Sequence, residues 1–297
     1  MLECFSKLSE KTVSIILMLI SGLSFVVMHS SAKHLAAEVH IFEIVFLRCA
    51  LVAFVLFPFM YQQGIRCIYT KQPRNQFYRI LTNSIAMLLF FFGLSITPIS
   101  IVTSLNFTAP VFATVLAIIF LKEKLTPLRS FGLIIGFLGV LIILKPGFSI
   151  NIGGLFILLS ALSWSISLIF IKKLTKTDSA LTISLYAGVG MMPATFLAAY
   201  PHLQILNTNQ FLVILFIAIS GTLAQTLLNS ALKRGELSFL LPLDFLKLVW
   251  SVLIGLAIFD ETTSASLWLG GLFIIVASTL VVKSDSGKNK ILMINRK

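Results

Sequence analysis

The chain has 297 residues, of which 58% are hydrophobic and 11% charged, and its formal net charge is +12. Soluble domains run at roughly 45–50% apolar and about 25% charged residues, so a pair of soluble domains is excluded. Three cysteines, Cys4, Cys49 and Cys67, are too few and too scattered for a disulfide framework or a metal-ligating spacing.

Apolar runs of about 20 residues follow one another along the chain, each long enough to cross the hydrocarbon core of a bilayer. Ten spans are predicted: Val13–Ala32, Ile41–Tyr61, Phe77–Ile96, Ile99–Leu121, Leu128–Leu144, Ile152–Ile171, Ala180–Tyr200, Phe211–Ala231, Ser238–Phe259 and Ala265–Val282. The first ends at Ser30-Ser31-Ala32, a small-residue site of the kind a signal peptidase cuts. A counterpart at Gly153–Lys173, deep in the chain, argues for a retained helix. Connections are short; the longest, Gln62–Gln76, is polar and basic.

Charge placement gives an independent count. With the N-terminus inside, nineteen lysines and arginines fall on inner segments and only Lys33 and Lys145 on outer loops, with Arg48 and Lys247 left within spans. Basic residues near helix ends are retained in the cytoplasm during insertion, so both termini are expected there. The net charge is then mostly topology, with contact to anionic lipid, and no nucleic-acid footprint is required.

The chain also repeats itself. Thr97–Leu144 and Gly235–Val282 share a layout at an offset of 138, which places Glu123 on Glu261, Gly132 on Gly270, Ser100 on Ser238 and Phe107 on Phe245. At an offset of 139, Ser21-Gly22-Leu23-Ser24-Phe25 falls on Ser160-Ala161-Leu162-Ser163-Trp164, and Lys33 on Lys172. Two repeats are predicted, 1–144 and 145–297, the second ending in a short basic cytoplasmic tail. An odd number of spans per repeat turns the second upside down. The expected fold is an all-α membrane protein of ten transmembrane helices in two inverted five-helix repeats.

Polar groups in lipid-spanning helices are costly and therefore informative. Asp244 and Lys247 stand three apart in span nine, on one face; they read equally as an internal ion pair or as a pair that opens for substrate. Arg48 in span two reads as buried against carbonyls or a carboxylate, or as a substrate ligand. Glu43, near the outer boundary, reads as reaching water or as a coupling or gating group. Asn83, Asn106, Gln225 and Asn229 are amides that join helices or line a pathway. Trp164, Tyr186 and Trp250 are core or lipid-facing aromatics, or the walls of a cavity. Pro110 inside span four and Pro242 at the start of span nine free backbone groups near corresponding places. Glu123 and Glu261 sit at helix ends and read as corner or capping residues. His29, His34, His40 and His202 have no metal-ligand spacing, and there is no His-Glu-x-x-His, phosphate loop or nucleophile elbow. An enzyme is not expected, nor a metal or cofactor.

The stretch Leu105-Asn106-Phe107-Thr108-Ala109-Pro110-Val111-Phe112, then Lys122-Glu123-Lys124-Leu125-Thr126 and Gly132, resembles the EamA family of the drug/metabolite transporter superfamily. Asp260-Glu261-Thr262-Thr263 with Gly270 resembles it again in the second half. The resemblance covers essentially the whole chain and implies ten helices, inverted repeats and alternating access without ATP hydrolysis; Arg48 matches an arginine common in the family's second helix. Leu248 stands where the second half would carry a proline equivalent to Pro110. The motif Leu241-Pro242-Leu243-Asp244-Phe245 followed by Leu248-Val249-Trp250 resembles a subgroup that includes S-adenosylmethionine uptake transporters and some riboflavin and metallophore carriers.

The resemblance therefore implies a secondary transporter of a small zwitterionic or cationic metabolite in the bacterial inner membrane, monomeric or homodimeric, with S-adenosylmethionine uptake as the first substrate. Its binding residues are expected to be Arg48, Asp244, Lys247, Trp164, Tyr186, Asn106 and Asn229. An exporter of amino acids or toxic organic cations, and a membrane scaffold without transport, are the alternatives.

Overall fold

The computed structural model describes residues 9–64, 68–96, 102, 105–144, 152–258 and 265–294. Among them the regular structure is entirely helical, with no strand. The helices are α1 (Glu10–Leu35), α2 (Ile41–Gln63), α3 (Pro73–Ser95), α4 (Ala109–Leu121), α5 (Pro127–Leu144) and α6 (Ile152–Leu174). They continue as α7 (Ala180–Ala199), α8 (Thr208–Arg234), α9 (Leu237–Leu240), α10 (Leu246–Ile258) and α11 (Ala265–Ile294). Glu261 and its corner lie outside the described residues, as does Ser100. Among the described residues, five helical stretches are long and apolar enough to cross a membrane: Glu10–Leu35, Ile41–Gln62, Ile152–Leu174, Ala180–His202 and Thr208–Arg234. Shorter apolar helices accompany them. The protein is a multi-pass membrane protein.

Local chemistry sets the helix ends. Ser9 caps α1 by accepting from the Thr12 amide at 3.2 Å, with Glu10 in the first turn and Lys33 and His34 in the last, as the helix dipole prefers. Ser179 caps α7 in the same way through Thr182. Lys122 stops α4 in a left-handed conformation, φ 55°, the sole positive φ at a non-glycine among the described residues. That turn delivers Glu123 into the corner.

Two expected spans are broken. Span four is not one helix from Ile99: Phe107 and Thr108 form a turn, and α4 starts only at Ala109 with Pro110 in its first turn. Proline lacks an N–H and is tolerated where that N–H would have no helical partner. Span nine divides into the single turn of α9, a 3-10 segment at Leu241–Phe245 containing Pro242, and α10. The two prolines are not at equivalent positions, yet both breaks fall beside the repeat-related pair Phe107 and Phe245.

The chain forms two compact units that cut across the two sequence halves: Met1–Ile85 with Phe170–Arg234, and Ala86–Ile169 with Gly235–Lys297. In the first, α1 packs along α8, and α2 along α7 and α8. In the second, α5 packs along α11. The first unit turns Phe54, Phe57 and Tyr61 of α2 outward, at 70%, 65% and 81% exposure, a face suited to lipid. Small polar residues hold the insides. Ser21 of α1 donates to the Ala224 carbonyl at 2.7 Å in the first unit. Ser160 of α6 donates to the Ala86 carbonyl at 2.6 Å in the second. These are the same bond by offset: Ser160 follows Ser21 by 139 and Ala224 follows Ala86 by 138.

The second unit shows the same reciprocity in its packing. A Cβ on Gly270 would stand 2.5 Å from the Gly139 carbonyl oxygen, and one on Gly132 would stand 3.0 Å from the Ala277 carbonyl oxygen. Offset by 138, Gly132–Ala277 becomes Gly270–Gly139. Without a water-driven hydrophobic effect between helices in lipid, such small residues permit the close contact on which helix association depends. Phe107 and Phe245, another pair at that offset, meet with ring centroids 6.2 Å apart.

Candidate functional site

In the second unit, the break at Leu241–Phe245 ends the helical ladder beside Asp244 and Lys247. Lys247 Nζ lies 2.6 Å from Asp244 Oδ1, and the two side chains are 24% and 19% exposed. The predicted span nine, Ser238–Phe259, puts Lys247 well inside a helix. The residue is instead the second of α10, where a helix start favours an anion over a cation. Asp244, one turn earlier, supplies that anion and neutralises the lysine. Trp250 is on the same helix, and its indole N–H is buried with no partner. Asn106 is exposed just before the α4 break, and Trp164 is half-buried on α6.

Glu123 is a cap, as its place in the sequence suggested. Its two carboxylate oxygens accept from the backbone amides of Leu237 at 2.9 Å and Ser238 at 2.8 Å, the start of α9. Arg129, 2% exposed, pairs with Glu236 at 2.5 Å and lies over the Phe239 ring. Arg129 and Arg79, counted above as inner-side charges, are buried; Arg79 donates to the Ile183 carbonyl at 2.6 Å. Positional counting sees a charge near a helix end and cannot see which way it folds.

In the first unit, Arg48 meets neither carbonyl nor carboxylate. Its Nη1 is 3.5 Å from Met28 Sδ and its Nη2 is 3.8 Å from Cys49 Sγ. It lines a cavity of about 40 Å³ together with side chains of α2, α3, α7 and α8, among them Asn83, Ser184, Thr222 and Gln225. Thr222 carried no signal in the sequence, because threonine in an apolar helix usually bonds back to its own backbone. Asn229 is fully buried: its amide donates to Ser184 at 2.9 Å and accepts from Gln225 at 3.2 Å, joining α8 to α7. Tyr186 is half-buried on α7.

Glu43 does not reach water. It is 1% exposed; Oε1 accepts from the Gln204 amide at 3.3 Å, and Oε2 has no partner. Its burial follows from the segment after α7, which folds over the start of α2. There His40 and His202 stack with ring centroids 3.6 Å apart. His40, which precedes the span, is held below the usual histidine range by partial desolvation and then by His202, with Glu43 opposing. Among the described residues, no group of three or more His, Cys, Asp or Glu is placed to hold a metal.

Described residues that are helical throughout their regular structure, an outward apolar face, broken helices and an ion pair at one break define a multi-pass membrane protein. The profile of the EamA-like transporter family matches residues 12–145 and again residues 151–283, and the chain belongs to that family, one of transporters and not of enzymes. An S-adenosylmethionine uptake transporter of Rickettsia bellii is 29% identical over 255 residues, which cover 86% of this chain and 88% of that relative. A riboflavin transporter of Vibrio cholerae is 27% identical over 279 residues, covering 92% and 94%. A solved crystal structure matches with a TM-score of 0.79 over 93% of this chain and 96% of that one; at 15% identity it shows a common fold.

Proposed function

We propose that the protein is a secondary active transporter that moves a small zwitterionic or cationic metabolite across the bacterial inner membrane by alternating access, with S-adenosylmethionine uptake as its activity. Ten spans in two inverted repeats, 1–144 and 145–297, with both termini cytoplasmic, form its frame. The double match of the family profile and the reciprocal Ser21–Ala224 and Ser160–Ala86 bonds support the repeat. The name of the Rickettsia bellii relative supports the substrate.

The observation that carries the reading is the Asp244–Lys247 pair at the start of a helix interrupted inside an apolar chain. A neutral pair is tolerated at rest, and each member can exchange its partner for a charged part of a substrate. Asp244 suits a sulfonium or ammonium, and Lys247 or Arg48 a carboxylate. Trp164 and Tyr186 suit an adenine face or a cation held over a ring. Asn106 in the second unit and Asn229 in the first are each assigned as polar ligands, and Glu43, buried with a free oxygen, is assigned to coupling or gating.

Radiolabelled S-adenosylmethionine should accumulate in proteoliposomes containing the protein and fail to do so with Lys247→Met. Normal uptake by that variant removes Lys247 from the pathway. The riboflavin relative supports a second reading, and saturable uptake of labelled riboflavin in place of S-adenosylmethionine would establish it.

A further inference from the structure

Among the described residues of the first unit, Arg48 is a cation whose contacts are to sulfur alone. A guanidinium carries five N–H donors, and sulfur is a weak acceptor, so contacts to Met28 and Cys49 leave most of that capacity unused. The described acids of the unit are engaged elsewhere. Glu10 pairs with Arg234, and Glu38 accepts from Gln210. Glu43 accepts from the Gln204 amide, while Asp178 takes Thr70, the Lys71 amide and Gln76. A charge in this setting is costly unless something pairs with it.

A second, independent observation lies across the cavity. Thr222 is 5% exposed and its hydroxyl has no partner. Its helical neighbour Ser220 donates to the Phe216 carbonyl, and Ser184 to that of Ala180, in the ordinary way. Thr222 does not, and it lines the same cavity as Arg48. Gly221 makes room: a Cβ there would meet Met28 Sδ at 2.5 Å and Arg48 Cδ at 3.5 Å.

We propose that this cavity between α2, α3, α7 and α8 is an anion subsite that takes the carboxylate of the substrate, with Arg48 as the cation and the Thr222 hydroxyl as a hydrogen-bond donor. Size supports a subsite and not a whole site. A cavity of about 40 Å³ exceeds the ~10–15 Å³ that one water requires; it admits a carboxylate group and excludes a nucleoside. The inference rests on the transport reading and narrows it. A substrate with an amino-acid head satisfies Arg48, whereas riboflavin carries no anionic group to do so.

The test uses purified full-length protein and ligand-induced thermal stabilisation with matched pairs: S-adenosylmethionine against its decarboxylated form, and methionine against methioninamide. The expected result is that in at least one pair the carboxylate member binds wild-type protein about tenfold to a hundredfold more tightly than its counterpart. In Arg48→Gln the preference disappears; Arg48→Lys keeps part of it, and Thr222→Val weakens it several-fold. If Arg48→Gln does not fold, the wild-type preference and the Thr222→Val response decide. Equal binding within both pairs, a preference that survives Arg48→Gln, or stabilisation by riboflavin alone overturns the inference. Discrimination in the methionine pair without binding of S-adenosylmethionine would instead retire the proposed substrate and leave the subsite standing.

Discussion

At the scale of single residues, the buried and half-buried charges follow different solutions to one problem. Asp244 and Lys247 neutralise each other, Arg129 finds Glu236, Arg79 finds a carbonyl, and Arg48 faces a cavity. Outside the spans, His40 gives a testable pH response. Its titration is lowered by desolvation and by His202, so the folded state binds the proton less readily than the unfolded chain. The stacked arrangement is therefore fully stable above the ordinary histidine value of about 6.5 and loses stability as pH falls below it. The groups facing it are His202, which repels the charged form, and Glu43, which favours it. His40→Asn keeps a good capping side chain and removes the titration. Its melting temperature should fall less between pH 7.5 and 5 than that of the wild type; parallel curves would refute the assignment.

At the scale of elements, the glycine contacts between α5 and α11 are a packing feature open to disruption. Gly139 and Gly270 bring backbone against backbone, while Phe131, Ile134 and Leu138 cover the outer face of α5. In lipid the exchange of one apolar neighbour for another contributes little, so close van der Waals contact carries much of the association. Gly270→Leu must push against the Gly139 carbonyl and the Ile143 side chain. Overpacking of this kind costs about 1–3 kcal/mol, a fall of roughly 2–4 °C in melting temperature per kcal/mol. Differential scanning fluorimetry in detergent would measure it, and Gly271→Leu, where a Cβ meets nothing within 4 Å, serves as the matched control. Equal behaviour of the two variants would show that the helices do not approach at Gly270.

At the scale of the whole molecule, the distribution of lysine and arginine makes a directional prediction. Reporter fusions at both termini should read as cytoplasmic, with a fluorescent protein bright and a periplasm-dependent phosphatase silent. A phosphatase active at one terminus alone would break the ten-span count and the inversion with it, and one active at both would overturn the cytoplasmic placement.

Much of this organisation was legible in the chain alone, because membrane insertion depends on properties that are local in sequence. A run of apolar residues, a basic loop, a capping glutamate such as Glu123, and the recurrence of Ser21 at Ser160 are each visible without knowing what they touch. The Asp244–Lys247 pair was legible for the same reason, being three residues apart on one stretch. What only the tertiary structure decided were the partners. Burial of Glu43 depends on a segment some 160 residues away. The solitude of Arg48 depends on where four other acids find their own partners, and the idle hydroxyl of Thr222 on the absence of one bond. Helix breaks at Phe107 and Leu241 fell between these cases, since proline announces a discontinuity while the packing around it chooses where the ladder stops. Linear patterns record the energetics of entering the membrane; the choice of partner is settled by distances that the linear order does not contain.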